Sequence, residues 1–216
     1  MTKDEVLKIK PEDYEGKKEN QCPDFANGDY WYLDRCGFEF YCKDDKTCSS
    51  VTRKNNTAYV EFPDANGNMK SLIADICDPK SPTECSIVHE CKSDSECLTN
   101  KCVNNHCAPN DDLKMEKCQD TYHWHTLIFS SSVDMNCGKP DGYSCKSDSD
   151  CASDICENKI CQFQGRDHGL AALDSVVVYA CICIGIAILS CIACCVCCCG
   201  GSKKNKRSID SAANTV

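Results

Sequence analysis

The chain has 216 residues, a formal net charge of −9 and 24 cysteines. Cysteine at about 11 % lies above the range of ordinary globular domains and marks a disulfide scaffold. Residues 1–169 carry 31 Asp and Glu against 20 Lys and Arg, an acidic balance that argues against nucleic acid and anionic lipid heads as partners.

The cysteines form two populations. Sixteen lie between Cys22 and Cys161, and eight between Cys181 and Cys199. The first set comprises Cys22, Cys36, Cys42, Cys48, Cys77, Cys85, Cys91, Cys97, Cys102, Cys107, Cys118, Cys137, Cys145, Cys151, Cys156 and Cys161. It contains no C-x2-C pair of the kind that tight zinc turns require, and its commonest gap is five residues. Disulfides are the expected use, which requires an oxidising compartment. Spacing alone leaves the connectivity open, and no metal or other cofactor is expected.

In chain order, residues 1–21 are rich in Lys and Glu and read as a flexible charged arm. This start is charged throughout and shows no apolar signal segment. Either the later apolar stretch acts as its own signal, or a leader precedes Met1; the second is the favoured expectation. Residues 22–90 form a cysteine-rich domain with an aromatic cluster (Tyr30, Trp31, Tyr32, Phe38, Phe40, Tyr41). The cluster is expected to be the small apolar core of a disulfide domain rather than a stacking platform for sugars or a protein.

Thr57–Phe62 and Met69–Ile76 read as two strands joined by the turn PDANGN. Asp64, Asn66 and Asn68 imitate the start of a calcium loop, but Met69 stands where such a loop needs glycine and Asp75 where it needs glutamate. A hairpin is expected. Asn55-Asn56-Thr57 is a glycosylation sequon in a polar turn, with Asn55 as acceptor.

Two segments repeat. Residues 91–107 (CKSDSECLTNKCVNNHC) and 145–161 (CKSDSDCASDICENKIC) share C-x5-C-x4-C-x4-C and nine of 17 positions. Such short units must be held by their bridges, with the Ser-Asp-Ser turn bonding its own backbone. The pattern resembles the short CxSDxxC repeat of secreted and surface proteins, sometimes labelled Dickkopf-like. The resemblance implies an extracellular module and no particular activity. The whole layout resembles small cysteine-rich single-pass surface proteins of lower eukaryotes.

Residues 108–144 link the repeats, and within them Thr121–Ser131 reads as a strand. His123 and His125 would share a face there, but no third metal ligand is indicated. Residues 162–175 read as a stalk into a membrane. Residues 176–199 (VVVYACICIGIAILSCIACCVCCC) carry no charge and, as a helix of about 36 Å, can cross a hydrocarbon core of about 30 Å. Lys203, Lys204, Lys206 and Arg207 follow in the basic tail, 200–216, whereas acidic residues precede the span. That asymmetry predicts a cytosolic C-terminus and an N-terminal region outside or lumenal, in the plasma membrane or a secretory-pathway membrane. Cys194, Cys195, Cys197, Cys198 and Cys199 crowd the cytosolic end, where S-palmitoylation occurs.

The predicted architecture is a small disulfide-rich, mostly β or irregular extracellular region with one C-terminal transmembrane α-helix. No phosphate loop, G-x-S-x-G or H-E-x-x-H is present, and an even cysteine count outside leaves no free nucleophile. The expectation is a non-enzymatic surface binding, adhesion or receptor-like protein with a protein or glycan partner. The alternatives are a membrane-organising protein acting through its span and acylated cysteines, and a viral or parasite envelope protein.

Overall fold

The structure, a computed structural model, describes residues 1–27, 29–30, 35–55, 57–77, 90–125, 130–164 and 176–195. The chain divides into two compact units, Met1–His123 with Ser131–Arg166, and Trp124–Ser130 with Asp167–Val216.

The first unit begins with a short helix, α1 (Lys3–Leu7), started by a capping box between Thr2 and Glu5. Among the described residues thirteen short strands follow: β1 (Asp29–Tyr30), β2 (Arg35–Cys36), β3 (Glu39–Asp44), β4 (Thr47–Ser50), β5 (Thr52–Lys54), β6 (Thr57–Pro63), β7 (Met69–Ile73), β8 (Cys102–Val103), β9 (His106–Cys107), β10 (Glu116–His125), β11 (Ser130–Gly138), β12 (Cys156–Glu157) and β13 (Ile160–Cys161). A four-stranded sheet runs β11-β10-β3-β4 and a three-stranded sheet β5-β6-β7; the rest are two-stranded ribbons.

Strand alternation gives the four-stranded sheet two different faces. On β3 and β10, Tyr41 stands opposite Lys117 and Glu39 opposite Gln119, while Phe40 stands opposite Cys118. One face therefore carries Phe40, Cys42 and Cys118, and the other carries Glu39, Tyr41, Lys117 and Gln119. Phe40, Cys42, Cys48 and Cys118 bury against Val6, Cys36, Phe38 and Met135. Tyr41 buries against Val60, Phe62 and Leu72 of the three-stranded sheet and against Ala74 just beyond it. Tyr41 Oη also donates to the Ala74 carbonyl at 3.3 Å.

Burial of the first face corrects one expectation. Residues 1–21 are not a flexible arm: Val6 is fully buried, Pro11 is buried, and Ile9 and Tyr14 pack on the same cluster. The Tyr14 and Phe38 rings meet edge-on at 5.2 Å, and Lys3 pairs with Glu116. A few apolar side chains at suitable spacing suffice to dock the segment, although its average composition is polar. Phe38 and Phe40 sit in this core, the role assigned to the aromatic cluster; Trp31 and Tyr32 lie outside the described residues.

The expected hairpin forms as β6 and β7, with Tyr59 opposite Ile73 and Pro63 opposite Met69. Its turn takes Gly67 to φ +82°, the left-handed region that glycine enters without steric cost. Thr121–Ser131 is not one strand, since its two ends belong to β10 and β11, the adjacent strands of one sheet. The first residues of the expected stalk are also tied down. Gln164 donates to the Tyr122 carbonyl at 3.0 Å and accepts from its amide at 2.9 Å.

In the second unit, α2 (Val176–Cys195) has 20 residues, is apolar enough to cross a membrane, and is not buried inside the protein. At 1.5 Å per residue it is about 30 Å long, the thickness of a hydrocarbon core. The fold is thus a disulfide-rich, mostly β region with one C-terminal apolar helix.

Candidate functional site

Disulfides set the frame in which any site must form. The described bridges are Cys22–Cys36, Cys42–Cys48, Cys91–Cys102, Cys97–Cys107, Cys118–Cys137, Cys145–Cys156 and Cys151–Cys161. Cys77 is also disulfide-bonded, and Cys85 lies outside the described residues. Cys42–Cys48 and Cys118–Cys137 each link Cα atoms 4.0 Å apart, and Cys42 Sγ lies 3.7 Å from Cys118 Sγ. Two bridges thus abut on the buried face of the four-stranded sheet.

Both repeats pair their first cysteine with the third and their second with the fourth. The motif's aspartate is the internal tie. Asp94 accepts from the Cys102 amide and Asp148 from the Cys156 amide, each at 2.7 Å. The acid just before the second cysteine does the same for the lysine after the first: Glu96 accepts from the Lys92 amide and Asp150 from the Lys146 amide, each at 2.8 Å. Each repeat then docks on a strand end. Leu98 N donates to the Ile73 carbonyl at 2.8 Å, and Ala152 N to the Lys139 carbonyl at 3.0 Å. Two clusters of three cysteines have metal-like spacing, Cys91, Cys97, Cys107 and Cys145, Cys151, Cys161. All six sulfurs are in bridges and offer no thiolate.

The polar face of the four-stranded sheet opens into a cleft of about 470 Å³. Lys117, its side chain 5 % exposed, stands at the centre. Its Nζ lies 3.0 Å from Glu39 Oε1 and 2.9 Å from Asp141 Oδ2. Arg53 Nη2 lies 3.0 Å from Glu39 Oε2, and its Nη1 lies 3.8 Å from Asp75 Oδ1. Charges of alternating sign thus run Asp141, Lys117, Glu39, Arg53, Asp75. Burial pushes the Glu39 carboxyl up, but the Lys117 and Arg53 cations outweigh it and hold it down at about 2. Burial works against the Lys117 cation as well, and Glu39 with Asp141 reverses this and raises it well above the ordinary lysine value. Asp75 is raised, chiefly by burial, while its Oδ2 accepts from the Ala58 amide at 2.7 Å.

Polar capacity in this cleft is not fully used. Asn27 Nδ2 donates to Glu39 Oε2 at 3.0 Å, which fixes the amide and leaves Asn27 Oδ1 buried without a partner. Asp141 Oδ1 is likewise buried without a partner. Gln119, 8 % exposed, lines the cleft with no side-chain hydrogen bond among the described residues. Phe163 stands at the same cleft, 64 % exposed.

Of the cleft's charged residues only Asp75 was named in the sequence, as the last position of the calcium-like loop, and Glu39, Arg53, Lys117 and Asp141 were not singled out. The available signal was alternation along EKCQ, since a buried Cys118 turns Lys117 and Gln119 to the opposite face. The other residues that were singled out as sites fall elsewhere. Asn55 is exposed in the turn between β5 and β6 at φ +50°, and the hydroxyl-bearing Thr57 of its sequon is buried. Asp64 Oδ1 accepts from the Asn66 and Asn68 amides at 2.8 and 2.9 Å, so the calcium-like sequence spends its carboxylate on the turn. Cys194 and Cys195 are free and exposed on α2, while Cys197, Cys198 and Cys199 lie outside the described residues.

Comparison of the chain with family models, with curated proteins and with solved structures found no match.

Proposed function

We propose that the chain is a single-pass membrane protein that holds its disulfide-rich unit outside the cytosol and binds a macromolecular partner there. One observation carries this reading: a unit whose described cysteines are all bridged shares a chain with a 20-residue apolar helix that is not buried inside the protein. Disulfides of this density persist in oxidising compartments, and the Lys203–Arg207 cluster after the helix supports a cytosolic C-terminus. Among the described residues the first unit has no free thiol to act as a nucleophile. Epitope tags at the two ends of the full chain test the orientation in selectively permeabilised cells. An N-terminal tag reached without permeabilisation supports the reading, and a C-terminal tag reached from outside sinks it.

The free, exposed thiols of Cys194 and Cys195 favour a second activity at the cytosolic end. We infer S-acylation at one or more of Cys194, Cys195, Cys197, Cys198 and Cys199, next to a basic tail. The helix already anchors the chain, so acylation would tune its depth and lateral partitioning. Hydroxylamine-dependent acyl exchange tests it: the signal should vanish when all five are serine, and an unchanged signal excludes acylation there.

A further inference from the structure

We propose that the cleft over β3 and β10 takes a basic side chain, a lysine ammonium or arginine guanidinium, from the partner. The proposal rests on the reading of the disulfide-rich unit as a binding module and supplies its chemistry.

Three observations converge. The first is a surplus of negative charge among the described residues, where Glu39, Asp75 and Asp141 face Arg53 and Lys117. Both cations are already engaged by two carboxylates each, so an anionic ligand would meet no uncommitted charge and would face Asp141 and Asp75. The second is the kind of capacity left over. Among the described residues, the two buried side-chain atoms without partners in this cleft, Asn27 Oδ1 and Asp141 Oδ1, are both acceptors, and a buried acceptor without a donor is costly. Gln119, a residue 8 % exposed, adds to the same cleft an amide with no side-chain hydrogen bond among the described residues. A ligand rich in N–H donors completes this set, and a cation does so while neutralising the surplus. The third is Phe163, an exposed aromatic ring at the cleft, which can attract a cation through its π face. The acidic balance of residues 1–169 would speed the approach of a basic partner.

The test uses the purified full chain in detergent and a fluorescein-labelled peptide of alternating lysine and serine, at about 150 mM salt so that long-range attraction is screened. The wild type should bind. Asp141→Asn, which retains an oxygen for Lys117, should weaken binding by about tenfold, or about 1.4 kcal/mol. Phe163→Ala, a change at an exposed position, should weaken it by several fold. Glu157→Gln removes one exposed charge outside the cleft and should have no effect. Acetylating the peptide's lysines should abolish binding. The proposal is overturned if the peptide does not bind, if Glu157→Gln weakens binding as much as Asp141→Asn, or if the acetylated peptide binds equally well. Binding of a neutral oligosaccharide in place of the peptide would also overturn it. Orientation in cells is measured separately, so failure here leaves the surface reading standing, and a wrong orientation leaves this binding result intact.

Discussion

Lys117 and Glu39 meet diagonally across the β3–β10 pair, with Lys117 Nζ 3.0 Å from Glu39 Oε1. Their backbone neighbours on the other face, Cys118 and Phe40, are buried against the N-terminal segment. One strand pair thus joins the sulfur-rich core to the charged cleft. Burying two ions is costly, and removing one leaves the other uncompensated.

Lys117→Met should therefore destabilise the unit by about 3–5 kcal/mol, with Glu39 left buried and short of a partner. Adding Glu39→Gln should recover part of that loss, giving a coupling energy well above zero in a double-mutant cycle. Denaturant unfolding of the oxidised full chain measures both. A loss below about 1 kcal/mol for Lys117→Met would place the pair in a surface-like environment.

Acid should weaken the same region in a defined window. Glu39 is held at about 2 in the fold against an ordinary value of 4.5. Its folded value is depressed, so its contribution is fully present above about 4.5 and is lost as pH falls towards about 2. A shift of that size corresponds to about 3 kcal/mol. Asp75, raised by burial, has the opposite sign and gains as it protonates. Unfolding free energies for wild type and Glu39→Gln should converge over this window. Parallel curves from pH 6 to 2 would remove Glu39 as the source.

Much of the two repeats was legible because covalent spacing is written directly in the cysteines, and Asp94 and Asp148 recur at the same place. The apolar helix was legible for a similar reason, since length and the absence of charge decide it. The arm was misread because composition averages away Val6, Ile9, Pro11 and Tyr14, the side chains that dock it. The cleft was hidden because it joins Asn27, Glu39, Lys117 and Asp141, residues far apart in sequence and individually ordinary. Only the sheet register brings them together.

The repeat ties predict matched effects. Asp94→Ala and Asp148→Ala each take the acceptor from a cysteine amide, Cys102 or Cys156, in an exposed hydrogen bond that water can partly replace, at about 1 kcal/mol locally. Amide hydrogen exchange should show faster exchange confined to the altered repeat, with Asn substitutions milder than Ala. Spread of the effect to the other repeat would contradict their independence.

Gly138 tests how the second repeat is seated. A Cβ there would lie 2.6 Å from the Cys151 carbonyl carbon and 2.7 Å from Ala152 N, both backbone atoms that cannot swing aside. Gly138→Ala should cost about 1–3 kcal/mol by overpacking and should loosen the Ala152–Lys139 hydrogen bond. Gly67→Ala, in open space but at φ +82°, should cost about 1 kcal/mol from backbone strain alone. Equal costs, with unchanged exchange at Ala152, would show that the repeat does not press on β11.

Whether the disulfide-rich unit lies on the oxidising, lumenal side of a membrane is reported directly by Asn55. Its sequon can be glycosylated only where the chain enters the secretory lumen. In cells expressing the full protein with its native targeting signal, glycosidase treatment should increase gel mobility, and Asn55→Gln should abolish the shift. An unshifted band, together with labelling of the tail beyond Lys203 by an impermeant reagent on intact cells, would contradict the account.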